Sequence, residues 1–386
     1  MIQIRAYNVL FGDCILVSWD EDDGEYHAWI DFGNFGNDPN AVFQTVYDDV
    51  LERTGGHLDL VVITHRHLDH MEGFYSLRKK FRKDFTIARL WHAYVLPAVD
   101  DQFQIAQTAI RSLMPAASLT GDGTLARIYR NNFGDKGLGT LDRMNDILAD
   151  LPYEKQYAIY RGKSLKTAMP PGVKKLEIEV LAPEKNSKKY LGELDNALAA
   201  RQTLDAYFEA NAVRGATSGD DPFVLPRGTD AKKSELIKLA DFARVRRLLQ
   251  TGGMDMLGAV DKTRNNTSIV MRWTYEGRGF LFTGDAEETS WDFMRDNGAD
   301  FSSDLVKVGH HGSINASPDW SYSKVFPRKL KDNAVLISTD PTRFTGTNEV
   351  PKEEVVDGWR ARVKTSARLK RTDKIPLGSY VEFEFG

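Results

Sequence analysis

The apolar run Leu58-Asp59-Leu60-Val61-Val62-Ile63 leads directly into Thr64-His65-Arg66-His67-Leu68-Asp69-His70, and no other stretch narrows the fold as far. The first part reads as a strand that carries the histidines to a sheet edge. After Asp69 the period changes. Met71, Phe74, Leu77 and Phe81 recur at three- and four-residue steps, which predicts a helix over Asp69–Lys83. A strand, a polar corner and a helix in succession argue for an α/β architecture.

The corner also has a chemical reading. Three of the eight histidines fall within six residues. In extended chain His65, His67 and Asp69 lie on one side because side chains alternate. A turn at Asp69-His70 then starts the helix and swings His70 in beside them. Two histidines could hold one metal, and the Asp-His pair a second. Imidazole with carboxylate suits zinc and tolerates manganese or iron. The competing reading is a polar turn with no ligand.

Further strands are expected at Ile2–Val9, Cys14–Trp19, Tyr26–Ile30 and Arg89–Val95, with turns at Asp22-Asp23-Gly24 and Gly33–Asn40 and a crossover helix at Ala41–Arg53. The segment 97–261 reads as an elaborated, mainly helical insertion. Its helices are expected at Gln102–Leu113, Leu141–Leu148, Leu191–Ala210 and Ser234–Leu249, with one strand at Glu177–Ala182. Its loops are expected at Thr120–Gly123, Asn131–Gly139 and Gly215–Gly228. Strands resume at Ser268–Tyr275, Gly279–Phe282, Asp304–Val308, Ala334–Ser338 and Ser379–Phe385. The whole chain, 1–386, is expected to be one domain, with 351–386 a basic C-terminal extension that ends in a strand.

Composition excludes several classes. The net charge of −4 gives no global pull toward nucleic acid or membranes. The single cysteine, Cys14, rules out an internal disulfide framework and an all-cysteine zinc site, and its strand setting marks it as a core residue. No apolar run approaches the roughly 18 residues of a membrane span, and the N-terminus has no signal-peptide pattern. The expected address is the cytoplasm, without a membrane partner.

Thr64-His65-Arg66-His67-Leu68-Asp69-His70-Met71-Glu72-Gly73 resembles the signature of the metallo-β-lactamase superfamily. Ile30-Asp31-Phe32-Gly33 resembles its first aspartate motif, and Leu281-Phe282-Thr283-Gly284-Asp285 the strand-end motif whose aspartate bridges two metals. Val306-Lys307-Val308-Gly309-His310-His311-Gly312-Ser313 resembles its late histidine motif. Asn8–Val17, Asn265–Val270 and His310–Ser313 are also similar to the soluble hydrolase domain of bacterial competence DNA-uptake proteins. The resemblance covers about residues 1–95 and 260–345. It implies a four-layer αβ/βα sandwich with two divalent metals, zinc expected and manganese the alternative.

The resemblance sets roles as well. Asp69, His70, Asp285 and His310 would hold one metal; His65, His67 and the shared Asp285 would hold a more open one. His310 and His311 are adjacent and cannot point the same way from one extended strand. His310 is taken as the ligand and His311 as the proton donor to the leaving group. Asp69 would also orient the attacking water, and Asp31 would anchor the histidine loop. Asp13 and Gly12 read as turn residues, and His27 and His57 as ordinary surface or strand-edge histidines.

Two departures stand out. Most members carry a metal-binding histidine about twenty residues before the bridging aspartate, where this chain has Asn265-Asn266, and His92 is the one histidine available to compensate. Val350 also stands where the competence-like branch often has a histidine before Pro351.

The expected activity is therefore hydrolysis by a metal-bridging hydroxide, with a phosphodiester in nucleic acid or a nucleotide as substrate. A small carboxylic ester, lactone or phosphoryl-choline-type substrate is the alternative. A catalytically degenerate metal-binding sensor or assembly module is the third reading. The cations Arg360, Arg362, Lys364, Arg368, Lys370, Arg371 and Lys374 could track a phosphate backbone or form a solvated basic face.

Overall fold

The computed structural model describes residues 1–35, 39–114, 123–134, 139–200, 239–344 and 346–386. The loop expected at 215–228 lies outside them. So do the parts of the expected helices that fall within 201–238, and residues 36–38, 120–122 and 135–138 of the other expected loops.

The chain runs through β1 (Ile2–Tyr7), β2 (Cys14–Glu21), β3 (Gly24–Phe32), α1 (Pro39–Thr54), β4 (His57–Ile63), α2 (Leu68–Asp84) and β5 (Thr86–Ala93). It continues with α3 (Pro97–Leu113), α4 (Thr124–Phe133), α5 (Thr140–Asp150), β6 (Tyr153–Ile159), β7 (Leu176–Ala182) and α6 (Leu239–Asn266). Then follow β8 (Val270–Tyr275), β9 (Arg278–Phe282), α7 (Glu288–Asp296), β10 (Leu305–Lys307), α8 (Asp319–Val325), β11 (Ala334–Ile337), α9 (Glu353–Arg360), β12 (Leu369–Arg371) and β13 (Tyr380–Phe385).

Two mixed sheets result, ordered β13-β1-β2-β3-β4-β5-β6 and β12-β11-β10-β9-β8-β7. In the first, β3, β4, β5 and β6 are parallel; in the second, β9, β10, β11 and β12 are. The inner faces meet through Ile4, Val17, Trp19, Val62, Trp91, Met271, Trp273, Phe282 and Leu336. One outer face is covered by α1, α2 and α5 through Phe43, Val46, Phe74, Phe81 and Ile147. The other is covered by α7, α8 and α9 through Trp291, Val325, Val356 and Trp359. Four layers, helix on sheet on sheet on helix, make an αβ/βα sandwich, because each sheet must bury both faces.

The segment 97–261 contributes to both sheets. β6 forms one edge of the first and β7 one edge of the second. In the same segment α3, α4 and α6 build a separate apolar cluster around Val99, Phe103, Tyr129, Phe133, Met256 and Val260. β6 went unseen in the sequence because its residues Glu154, Lys155 and Gln156 are exposed and break any apolar alternation. α4 extends into what looked like a loop: Asn131 and Asn132 are its last turn, closed by Gly134 at φ 76°. α6 runs on past Leu249 to Asn266, so Asn265 and Asn266 end a helix.

The final residues are likewise part of the sandwich. β13 pairs with β1 in antiparallel register and β12 with β11 in parallel. Arg368 donates to the Asp332 carbonyl and lies over Phe383 and Phe385. Lys370 bonds the Glu382 carbonyl, and Arg371 pairs with Asp373. Arg360 pairs with Asp357 and Lys374 with Asp373, so five of the seven cations of the basic tail are engaged within the protein.

Among the described residues, no helix is long and apolar enough to cross a membrane. Cys14 is buried and accepts a hydrogen bond from Trp29 Nε1 at 3.3 Å, and burial pushes its thiol well above the ordinary range.

Candidate metal centre

The site forms where parallel strands of both sheets end, the edge at which open α/β sheets gather ligands. β3 ends at Asp31-Phe32, β4 leads to His65, β9 leads to Asp285, and β10 leads to His310 and His311. α2 starts at Leu68, with His67 as the residue that caps it, still in extended conformation. Asp69 therefore reaches the site from the first turn of a helix, together with His70, and not by strand alternation. Its carboxylate also suits a helix N-terminus. Phe74 and Phe81 lock α2 against Trp29, with ring centroids 5.5 and 5.6 Å apart.

Gly33 lets this helix approach. A Cβ there would stand 2.1 Å from the Asp69 carbonyl carbon and 2.2 Å from the His70 nitrogen.

Asp31, at φ 53°, ties the histidine loop down from below. Its carboxylate accepts from the Thr64 nitrogen at 2.7 Å, the Thr64 hydroxyl at 2.6 Å and His70 Nδ1 at 2.8 Å. These bonds leave His70 Nε2 facing Asp285 Oδ2 at 3.1 Å.

Among the described residues, three groups bring imidazole and carboxylate atoms within 4.8 Å of one another. They are His65, His67 and Asp69; Asp69, His70, Asp285 and His311; and Asp13, Asp31 and His70. All are buried. Asp69 belongs to the first two, so the residue common to both is Asp69, where Asp285 had been expected. His65 Nε2 lies 3.0 Å from His67 Nδ1, and His67 Nε2 contacts Asn132 Oδ1 at 2.8 Å.

His310 and His311 stand in the opposite places from those expected. Both have left-handed backbone, at φ 44° and 54°, and they diverge. His311 points inward. Its Nε2 lies 3.0 Å from Asp69 Oδ2 and 3.5 Å from Asp285 Oδ2, Nδ1 donates to the Ser338 carbonyl at 2.9 Å, and the tilted Phe11 ring packs against it, centroids 4.1 Å apart. His310 points outward, with its side chain 24% exposed, and forms an ion pair from Nδ1 to Glu287 Oε1 at 3.0 Å. Such strain is characteristic of functional corners.

Lys307 was not foreseen. Its ammonium is buried against Asp13 Oδ2, 3.2 Å from Asp285 Oδ1 and 2.8 Å from the Gly284 carbonyl. One oxygen of Asp285 is thereby committed, to Lys307 and to the His310 nitrogen at 2.9 Å, which leaves Oδ2 for the donor group. The signal was the polar Lys307 in an otherwise apolar strand, paired with an Asp13 taken for a turn residue.

Burial would raise Asp69, but His70, His311 and His67 outweigh it and bring the carboxyl down to about 2. Asp285 is held well below the carboxylate range by His70, Lys307 and His311 against its burial. His70 is raised well above the imidazole range, since Asp285, Asp31 and Asp69 overcome desolvation. Burial and the neighbouring His70 push His65 well down, and burial takes His67 to about 3. His65 and His67 thus stay neutral, whereas the surrounding carboxylates favour the charged form of His70.

The remaining expected residues fall outside these groups. Asn265 donates to Glu287 Oε1 at 2.7 Å and lies 3.4 Å from His310 Nε2. Asn266 accepts from the Glu287 and Ser290 nitrogens at 3.2 and 2.9 Å, and so caps α7. His92 sits in β5 opposite Ile63. Burial, with Arg66 and Lys163 nearby, holds its pKa down to about 4, and it joins none of the donor groups.

One observation tests whether a metal fits. Asp69 Oδ1 is buried and has no hydrogen-bond partner, and Asp69 is the residue that two of the donor groups share. An acceptor left unpaired at that depth is costly unless a cation satisfies it. The buried His/Asp set is consistent with a metal site.

No family model and no curated protein matches the chain. Among solved structures it is similar to the metallo-beta-lactamase fold protein YhfI from Bacillus subtilis, at 11% identity and a TM-score of 0.40 over 99% of each chain. It is also similar to a protein of unknown function from Enterococcus faecalis V583, at 8% identity and a TM-score of 0.29, over 83% of this chain and 56% of that one.

Proposed function

We propose that this chain is a metal-dependent hydrolase of the metallo-β-lactamase fold, acting on a phosphodiester. The observation that carries the reading is Asp69, common to two buried donor groups and with one oxygen unpaired. His65, His67 and Asp69 would hold one divalent cation; Asp69, His70, Asp285 and His311 would hold the other. Cations bound there would supply Lewis acidity and lower the pKa of water toward about 7.

The chain's own residues do the rest. Asp31 and the Ser338 carbonyl fix the rings of His70 and His311 through their second nitrogens, which sets the tautomer presented to the site. Lys307 holds Asp285 in place. His310, partly exposed and backed by Glu287, would hold a proton for a leaving oxygen, the role assigned to His311 from the sequence. The phosphodiester class is supported by the likeness of Asn8–Val17, Asn265–Val270 and His310–Ser313 to the competence-protein hydrolase domain.

The test is metal analysis of purified protein joined to a panel of single- and double-stranded DNA, RNA, cyclic nucleotides and simple carboxylic esters. Bound metal and phosphodiester turnover, both reduced in His67→Ala, are expected. Turnover of carboxylic esters or lactones alone would replace the substrate class, and a metal-loaded protein inert on the whole panel would point to a sensor or assembly module.

A further inference from the structure

α4 belongs to the inserted segment, yet its last turn meets the histidine loop of the sandwich. Asn131 and Asn132 are both buried there. Asn131 Oδ1 accepts from the Asp69 nitrogen at 3.2 Å. That nitrogen lies in the first turn of α2, whose own capping residue, His67, makes no side-chain bond to the helix. Asn131 thus satisfies one of the free N–H groups of α2 from another helix.

Asn132 Oδ1 lies 2.8 Å from His67 Nε2. The orientation of this amide follows from its other partners. Its nitrogen is 3.0 Å from the Ile128 carbonyl and 2.6 Å from Asp261 Oδ1. A carbonyl only accepts, so the NH2 group faces Ile128 and the amide oxygen faces His67. A neutral imidazole has one N–H, and in His67 that oxygen calls it to Nε2. The lone pair on Nδ1 is then turned toward His65 Nε2, 3.0 Å away, the side on which the two rings would share a cation.

The Asn132 backbone is pinned in turn. Its carbonyl accepts from Arg264 at 2.6 Å and from the Thr140 hydroxyl at 2.7 Å. Arg264 is itself buried, over Phe103 and Phe133 at 4.6 and 5.3 Å. Ile128 of α4, Thr140 of α5 and Asp261 and Arg264 of α6 therefore all hold one asparagine.

We propose that Asn132 is a positioning residue that the inserted segment supplies to the metal centre: it holds His67 as the Nε2–H tautomer and turns Nδ1 toward the donor group. A bond to the second ring nitrogen fixes ring orientation and ligand atom together. The use of that tautomer by a cation rests on the hydrolase reading above; the tautomer itself does not.

Histidine-selective 15N labelling and imidazole NMR of the metal-stripped full chain read the tautomer, with His67→Ala identifying the His67 signals. The wild-type ring should be protonated at Nε2, and Asn132→Leu should populate both tautomers. Zn2+ affinity, measured by competition with a chelator, should fall by about 10–100-fold in Asn132→Leu. The double variant Asn132→Asp/Asp261→Asn exchanges the partners, keeping an acceptor toward His67, and should restore the single tautomer and most of the affinity. A merely structural amide would instead lower the unfolding midpoint without moving the tautomer. A wild-type His67 protonated at Nδ1 would overturn the proposal even if neither variant folds. So would an unchanged tautomer and Zn2+ affinity in folded Asn132→Leu. An Asn132-dependent tautomer in a chain that hydrolyses nothing would sink the hydrolase reading alone.

Discussion

His311 Nε2 lies 3.0 Å from Asp69 Oδ2, joining the corner after β10 to the first turn of α2 across 242 residues of chain. This contact closes the donor group between the two sheets. The neighbouring His310 takes no part in it.

His311→Ala should therefore lower metal affinity by more than the 10–100-fold that an outer-shell partner typically costs. His310→Ala should stay within that range and lower turnover instead. Metal stoichiometry after gel filtration, measured beside initial rates, checks the pair. Equal metal loss in both variants would contradict the assignment.

Lys307 contacts both Asp13 and Asp285, as does the His70 ring at 3.7 and 3.1 Å. Lys307→Met removes their buried ammonium partner, and stability should fall by about 3–5 kcal/mol, as for other broken buried pairs. Adding Asp13→Asn should restore part of the loss. Denaturant midpoints of the single and double variants test this.

Gly33→Ala places a methyl against the Asp69-His70 backbone. The helix must move or the strand end must, so stability and metal affinity should fall together. A cost of roughly 1–3 kcal/mol is expected from overpacking, measured by denaturant unfolding. Unchanged stability would show that α2 adjusts freely.

His27 is buried on Ser18, away from the metal centre, and burial pulls it down to about 4. The unfolded chain takes up that proton near pH 6.5 and the folded one near 4. Between those values the unfolded state binds more protons, so stability rises with pH and is lost as pH falls from about 6.5 toward 4. His27→Gln should flatten that part of the wild-type curve. Identical slopes would assign the acid lability elsewhere.

Much of the sandwich could be read from periodicity. Leu58–Ile63, Asp69–Lys83 and Gly279–Phe282 fall within a few residues of β4, α2 and β9 because their apolar spacing is strict. β6 was lost because an exposed edge strand carries polar residues, and α4 because an asparagine pair at a helix end looks like a turn.

The amino-acid sequence alone determined which residues could bind metal: His65, His67, Asp69, His70 and Asp285 are conspicuous by type and spacing. It could not decide between His310 and His311, because two left-handed residues rotate the pair and only the packing of Phe11 and Ser338 turns His311 inward. Nor could it join Lys307 to Asp13. Those partners are far apart in the chain, and what brings them together is the closure of two sheets on one buried core, a long-range packing event that leaves no local pattern.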